Sequence, residues 1–441
     1  MSVQSEVVTG RQDGAMASVQ PRLDAGTRRR ALVAAVMGNV LEWYDFAVYG
    51  YFATIIAKQF FSATDEITAL LSAFATFGIG FAARPLGGII IGRIGDVYGR
   101  KFALLITMFL MAGSTVLLGL IPSYDSIGVA ATVLVVLARI LQGFSAGGEW
   151  GGATAFIVEW AAPNRRGFFG SFQQCSVAAG LLLGSAIAAL FSSIMSVETL
   201  ESWGWRIPFL LGGILGPVGL YMRRNIDETP AFKEAQTNAV EPDAGFDSPA
   251  VLAAKAFGFA VAWNAIYYIF LSYMPTFSIK YLQLSRAEAL WSNSAGLVAL
   301  VLAVPLMGRL SDSIGRKPLL LTCCGAFAFL TYPIFSYMIA APSFALVLAL
   351  QIFFAVAIAT FSGPGPAAIA EIFPTRIRST WMSIGYSLAA ATFGGFAPFI
   401  ATWLINQTGN PISPVYFVIG SAVLSGLVIL GLRETAHKRL H

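Results

Sequence analysis

The stretch GNVLEWYDFAVYGYF (residues 38–52) places Glu42 and Asp45 inside a run that is otherwise apolar from Ala31 to Ala57. In hydrocarbon a carboxylate costs several kcal/mol or takes up a proton, so it faces a bundle interior or a watery cavity. Glu42, Asp45 and Tyr49 follow i, i+3, i+7 spacing and share a helix face. Arg139, Gln142 and Glu149 share another at i, i+3, i+10, and Arg84 stands in a third apolar run just before Pro85. Two carboxylates three residues apart resist simultaneous ionisation, so one holds an exchangeable proton at neutral pH. Arginine offers forked donors that match carboxylate oxygens. Together these residue types point to reversible protonation beside an anion-binding centre. Other readings stay open: Arg84 and Arg139 as permanent structural ion pairs, expensive without good geometry, and Glu149 as a water ligand among glycines.

The elements that must position these groups are membrane spans. The 441 residues are 56% hydrophobic and 12% charged, with mean hydropathy +0.71, whereas soluble proteins carry about 25% charged residues. Apolar runs near 20 residues long predict twelve helices near 31–57, 69–93, 102–121, 129–159, 167–193, 205–223, 251–279, 288–308, 318–339, 343–371, 377–406 and 412–432. This is an all-α integral membrane fold of two six-helix halves. The expected organisation is a tail (1–30), a first bundle (31–223), a polar linker (224–250), a second bundle (251–432) and a short tail (433–441).

Lys and Arg set the expected orientation. Most of the 28 gather at the N-terminus, in alternate loops and in the tail, while only Lys58, Arg206, Lys280 and Arg286 fall in the opposite loops. Positive loops are cytoplasmic, which puts both termini inside a bacterial inner membrane. The net charge of +5 reflects this topology and implies no nucleic-acid partner. Cys175, Cys323 and Cys324 lie in apolar runs, and His437 and His441 in the tail, so neither a disulfide framework nor a histidine-based metal site is expected. TRRR (27–30) leads into a full-length span, unlike a cleaved signal peptide.

The halves repeat each other. GRIGDVYGRK (92–101) matches GRLSDSIGRK (308–317), and EWAAPNRRG (159–167) matches EIFPTRIRS (371–379), at nearly the same offset. Such duplication is expected of secondary transporters. In the repeated loops Asp96 and Asp312 can pair with Arg100 and Arg316 or cap a neighbouring helix. With Glu159 and Glu371 they form candidate latches between two conformations.

This doubled motif in a six-plus-six layout resembles the major facilitator superfamily. Within it, GNVLEWYDFAVYGYFA, FAARPLGG, LIPSYDSIG, ARILQGFSAGGEWGGA, RRGFFGSFQQ and WGWRIPF are similar to segments of the metabolite:proton symporters, across nearly the whole chain. That family carries citrate, other di- and tricarboxylates, shikimate, proline and betaine. The resemblance implies proton-coupled symport by alternating access, with coupling acids in the N-terminal half (Asp45, Glu42, Glu149) and a substrate-binding Arg in the RP pair, here Arg84. Arg139, Gln142, Tyr49 and Gln173 join it as candidates. Arg206, of WGWRIPF, fits an interfacial anchor beside Trp203 and Trp205 equally well.

Beyond Lys255 the second half has no interior charge before its loop ends. It offers Asn264, Tyr267, Tyr268, Trp291, Asn293, Ser362, Tyr386 and Ser387, either packing residues or the neutral wall of a cavity, with Asn264, Tyr267 and Tyr386 as binding candidates. Gly363-Pro364-Gly365-Pro366 should kink its helix. The interior groups sum to −1, with Glu42, Asp45 and Glu149 against Arg84 and Arg139, so loading an anion favours co-binding a proton.

The expected substrate is a small di- or tricarboxylate, with the proton as coupling ion and no cofactor; the alternative is a zwitterion such as proline or betaine, or shikimate. Residues 386–409 resemble the citrate members, whereas 267–277 and 227–232 resemble the proline/betaine members. The tail RETAHKRLH is too short for the coiled coil common in osmosensing betaine carriers. With no H-E-x-x-H, phosphate loop or Ser-His pair, an enzyme is not expected, and the doubled latches favour a carrier over a channel.

Overall fold

The computed structural model describes residues 25–62, 65–98, 100–147, 149–162, 164–213 and 247–436; the side chains of 25–36, 92, 95, 96, 100, 101, 103, 104, 149, 156, 160 and 376 lie outside that description. Helix α1 (Ala25–Tyr51) continues past Phe52 as Ala53–Phe60. Helix α2 comprises Glu66–Ala82 and Arg84–Tyr98, and α3 is Arg100–Leu120. Helix α4 comprises Val129–Ala146 and Glu149–Trp160, α5 is Arg166–Ile194, and α6 is described over 206–213. In the second half, α7 comprises Pro249–Tyr268, a wide π turn Ile269–Tyr273, and Met274–Tyr281. Helices α8 (Arg286–Ile314) and α9 (Arg316–Ala340) follow, then α10 (Phe344–Ser362 and Gly365–Ala370). Helix α11 is Thr375–Ala389, a π turn Ala390–Gly395, and Ala397–Thr408; α12 is Pro414–Gly431.

Among the described residues nine helices are long and apolar enough to cross a membrane, and α3 adds a shorter apolar stretch, Leu105–Leu120. Large apolar side chains such as Leu86, Phe109, Leu302, Phe329 and Leu427 stand exposed on the outer surface, as lipid contact requires. Polar caps begin the helices: Asp65 accepts from Thr68 N at 2.9 Å, and Ser285 and Glu288 form a reciprocal capping box on α8.

The structure differs from the sequence reading in two places and agrees with it in a third. Helix α1 starts at Ala25, inside the stretch expected as tail. The second repeated "loop" is mostly helix: α8 runs through Asp312 to Ile314, and Gly315 alone separates it from α9. Its φ of 97° is open to glycine without strain. The Gly-Pro-Gly-Pro stretch does break α10, at Gly363–Pro364. A Cβ on Gly363 would lie 2.6 Å from Gly308 N of α8, so close packing fixes the break. The expected linker 224–250 lies outside the described residues as far as 246.

The two halves meet at both ends of the bundle. At the end bearing the repeated motifs, here the basic end, Arg378 Nη1 of α11 donates to Glu159 Oε1 of α4 at 2.6 Å. At the far end Arg286 Nη1 donates to Thr54 Oγ1 at 3.0 Å, and Tyr51 OH to Leu271 O at 3.0 Å. The seam between α5 and α8 carries Ser185, which donates to Leu290 O at 3.1 Å and accepts from Ser294 at 2.9 Å.

Candidate functional site: an arginine pair in an aromatic chamber

Within the first half, α2 and α4 approach so closely that glycine is obligatory. A Cβ on Gly143 would sit 1.6 Å from Gly80 O, one on Gly87 1.8 Å from Phe144 O, and one on Gly147 1.8 Å from Arg84 O. This contact sets Arg84 and Arg139 side by side against α1. Both guanidinium carbons lie 4.7 Å from the centroid of Phe46. Arg84 also lies over Phe81 (4.2 Å) and Trp43 (5.2 Å), and Arg139 over Tyr49 (4.5 Å) and Phe77 (5.1 Å). Cation–π attraction of about 0.5–2 kcal/mol per contact offsets part of the cost of burying two cations.

The carboxylates divide between the arginines. Glu42 Oε1 is 3.7 Å from Arg84 Nη2, close enough for charge attraction but too long for a hydrogen bond. Arg139 Nη1 donates to Gln142 Oε1 at 2.7 Å, and Gln142 Nε2 to Thr115 Oγ1 at 2.8 Å. Asp45 lies beside Thr115 under α6, where a Cβ on Gly212 would come within 2.7 Å of Asp45 Oδ1. The two acids are thus divided: Glu42 pairs with Arg84, while Asp45 acts on Arg139 through space, beside the Thr115 that accepts from Gln142.

Several buried donors here have no hydrogen-bond partner among the described residues: Arg84 Nε and Nη2, Arg139 Nε and Nη2, Tyr267 OH, Tyr268 OH and Trp150 Nε1. Buried polar groups left unpaired cost about 1–3 kcal/mol each, more when charged, so their concentration marks a place prepared for a polar ligand. The second half supplies the opposite wall. Tyr268 packs edge-on against Phe81 (centroids 5.2 Å) and near Trp43 (6.3 Å). Tyr386 of α11 stacks on Trp150 of α4, and Trp263 of α7 stands 5.8 Å from Tyr386.

Other candidates have more local roles. The Tyr49 hydroxyl donates to Ala73 O at 3.0 Å, so only its ring reaches the site. Gln173 accepts from Gln174 within α5 (2.8 Å), and Asn264 donates to Ala260 O of its own helix (2.9 Å), so neither is brought to the arginines by a hydrogen bond. Trp291 lies at the far-end surface, donating to Ser193 at 3.1 Å. Arg206 caps α3 through Gly119 O (3.0 Å) and Ile121 O (2.6 Å), which is the anchor role. The side chain of Glu149 lies outside the described residues.

The latch candidates converge at the basic end. Asp312 accepts from Gly167 N (2.8 Å) and Phe168 N (2.9 Å) at the start of α5 and from Arg316 Nη1 (2.8 Å). It thus caps a helix and pairs with an arginine at once. Glu371 lies 3.4 Å from Arg316 and 3.9 Å from Arg166. Asp96 and Arg100, the first-half counterparts, have side chains outside the described residues. Sequence reasoning missed Trp43, Phe46, Phe81, Trp150, Trp263 and Thr115. The available signal was aromatic residues within one turn of each interior charge, as in EWYDF around Glu42 and Asp45.

Comparison with known proteins sharpens this. Residues 30–248 match the family model "Sugar (and other) transporter", and residues 277–441 match "Major Facilitator Superfamily". The proline/betaine transporter of Escherichia coli (strain K12) is 36% identical over 95% of this chain and 86% of its own. The chain belongs to the major facilitator superfamily. As a superfamily member it is a multi-pass membrane transporter. It is also 35% identical, over 95% of this chain and 86% of the relative, to the glycine betaine/proline/ectoine/pipecolic acid transporter OusA of Dickeya dadantii (strain 3937). In fold it is similar to the xylose transporter XylE from E. coli in a partially occluded inward open conformation, with TM-score 0.78 at 19% identity, covering 94% of this chain and all of that one. These relatives lend no support to a di- or tricarboxylate substrate.

Proposed function

We propose that this superfamily member is a proton-coupled symporter of a small zwitterion of the proline or betaine type, working by alternating access in a bacterial inner membrane with both termini cytoplasmic. The observation that carries the reading is its similarity, over 95% of the chain, to transporters named for proline and betaine. The site chemistry agrees. A zwitterion's carboxylate suits the unpartnered N–H groups of Arg84 and Arg139. Its cationic nitrogen suits the rings of Trp150, Trp263 and Tyr386, since aromatic faces attract quaternary ammonium groups. This replaces the carboxylate reading, which the arginines alone would favour. Asp45 is the coupling acid, lying near the arginines without pairing directly to either among the described residues.

The test is uptake of labelled betaine and proline into proteoliposomes under an imposed inward proton gradient, with citrate and malate as competitors. Accumulation of a zwitterion that neither dicarboxylic nor tricarboxylic acids inhibit is the expected outcome. Full competition by citrate with none by betaine or proline would reverse the substrate assignment. Arg84→Gln should abolish binding while leaving membrane insertion intact.

A further inference from the structure

A second small space lies off the central chamber, within the first half, lined mostly by apolar groups, with Glu42, Asp45, Thr107 and Ser145 as its polar residues. It has a volume of ≈ 40 Å³, room for roughly three waters. Its walls come from α1 (Glu42, Asp45), α3 (Thr107, Met111), α4 (Ser145) and α6 (Gly212). Helices α1 and α3 both run from the basic end to the far end. Gly38 and Leu41 on α1, and Thr107 on α3, also line the space and precede the level of Asp45 and Met111. The cavity therefore extends from Asp45 towards the basic end. Its lining residues include both interior carboxylates of α1 and no lysine or arginine.

Among the described residues, the charged and titratable groups facing these acids are few. Asp45 is flanked by Tyr44 and acts electrostatically on Arg139 of α4. The Tyr44 hydroxyl is committed to Pro208 O at 2.7 Å. Glu42 faces Arg84 of α2 and, from the second half, Tyr268 and Tyr386. The central chamber thus holds two buried cations that repel a hydronium ion, and Arg378–Glu159 joins its walls at the basic end. Among the described residues the side cavity has no cation; its polar groups are the two carboxylates, Thr107 and Ser145, whose hydroxyl donates to Thr107 O, on an otherwise apolar lining.

We propose that the side cavity is the path by which the coupling proton leaves Asp45 towards the basic end, separate from the substrate's path between the halves. The proposal rests on the reading of Asp45 as coupling acid. On release the carboxyl O–H bond breaks, the proton passes to a water in the cavity, and the carboxylate left behind is stabilised by the charge of Arg139. Protons and substrate then leave by different doors, and Glu42, which borders both spaces, senses whether Arg84 is engaged.

Ala112 and Met111 line the cavity on α3, away from the arginine pair, so Ala112→Leu and Met111→Phe fill it without touching the chamber. In proteoliposomes with a trapped pH dye, each should slow gradient-driven accumulation and substrate-linked proton release roughly tenfold. Substrate exchange at equal pH, which needs no net proton movement, should stay within about twofold of the parent. Unchanged accumulation, or exchange lost in proportion to accumulation, overturns the proposal. Asp45→Asn in parallel separates the two readings: normal accumulation there removes Asp45 as coupling acid, whatever the cavity variants do. If neither filled variant inserts, the smaller Ala112→Val, read by the same assays, should slow accumulation and proton release while sparing exchange. Equal effects on accumulation and exchange, or no effect on accumulation, also overturn the proposal.

Discussion

Trp150 of α4 and Tyr386 of α11 stack across the two halves, with ring centroids 3.5 Å apart and planes 3° from parallel. The contact joins the half that holds the arginine pair to the half whose described residues place no charge in the chamber. Any rocking of the halves must slide or break this stack. A cationic ligand group seated between the rings would make the closure depend on substrate.

Tyr386→Ala should therefore raise the KM for betaine about tenfold, equivalent to roughly 1.4 kcal/mol and within the range of one cation–π contact. Tyr386→Phe, which keeps the ring, should stay near the parent value. A hydroxyl-dependent result, with Phe as damaging as Ala, would remove the stacking role. Initial uptake rates over a substrate series provide the measurement.

Asp45→Asn keeps the size of the side chain and loses its titratable proton. Accumulation driven by a pH gradient should disappear while exchange of labelled for unlabelled substrate persists. Glu42→Gln should be milder, because Glu42 is already beside Arg84 at 3.7 Å. Unchanged pH dependence in Asp45→Asn sinks this assignment.

At the basic end the Arg378–Glu159 bond joins the halves, with the glutamate side chain 34% exposed. Solvent screening limits such a pair to about 1 kcal/mol. Glu159→Gln should raise the accessibility of a cysteine engineered in the chamber, probed from that end, by several-fold, and should alter turnover more than substrate affinity. Equal labelling in parent and variant would show that the bond does not hold the halves together.

The tail segment after α12 carries its own pH signature. Glu434 is half-buried, which raises its carboxyl pKa, but N–H groups of Ala436, Arg316, Lys317 and Thr435 point at the carboxylate and outweigh burial, so its pKa lies below the ordinary range. A depressed carboxylate adds stability that is full above its unfolded pKa, about 4.3 for Glu, and is lost as pH falls through the lower folded value. Hydrogen exchange at residues 432–436 should stay slow at neutral pH and quicken below about pH 4. Glu434→Gln should remove both the protection and its pH dependence.

Reporters fused after Ala341 and near Val240 test the orientation. The first should read outside and the second inside, following the basic loops. Reversal at both positions would invert the proposed topology.

The spans and the interior charges were legible because each rests on local chemistry: a run of apolar residues, or a charge where none is cheap. The capping role of Asp312 was also legible, since the repeat put the same acid before the same basic pair. The partner of each charge was not. That Phe46 lies between Arg84 and Arg139 depends on three helices brought together by glycines far apart in sequence. Trp150 and Trp263 were missed, while Tyr386 stood among the binding candidates, because an aromatic ring has the same pattern whether it meets a neighbour or a ligand. Glu434 escaped notice because two of its four backbone N–H partners, Arg316 and Lys317, begin a helix more than a hundred residues earlier.

The glycine contacts between α2 and α4 have a consequence for how such a carrier could diversify. Backbones in direct contact leave little slack, so the spacing of Arg84 and Arg139 is expected to hold as the two halves move. A new cargo must then be accommodated from the opposite side, by exchanging rings and hydroxyls on α7 and α11. The chain is in this sense modular, with one half conserving the energy coupling and the other free to be retailored. A chimera joining this first half to the second half of a carrier with a different cargo should inherit its preference from the second and its proton requirement from the first.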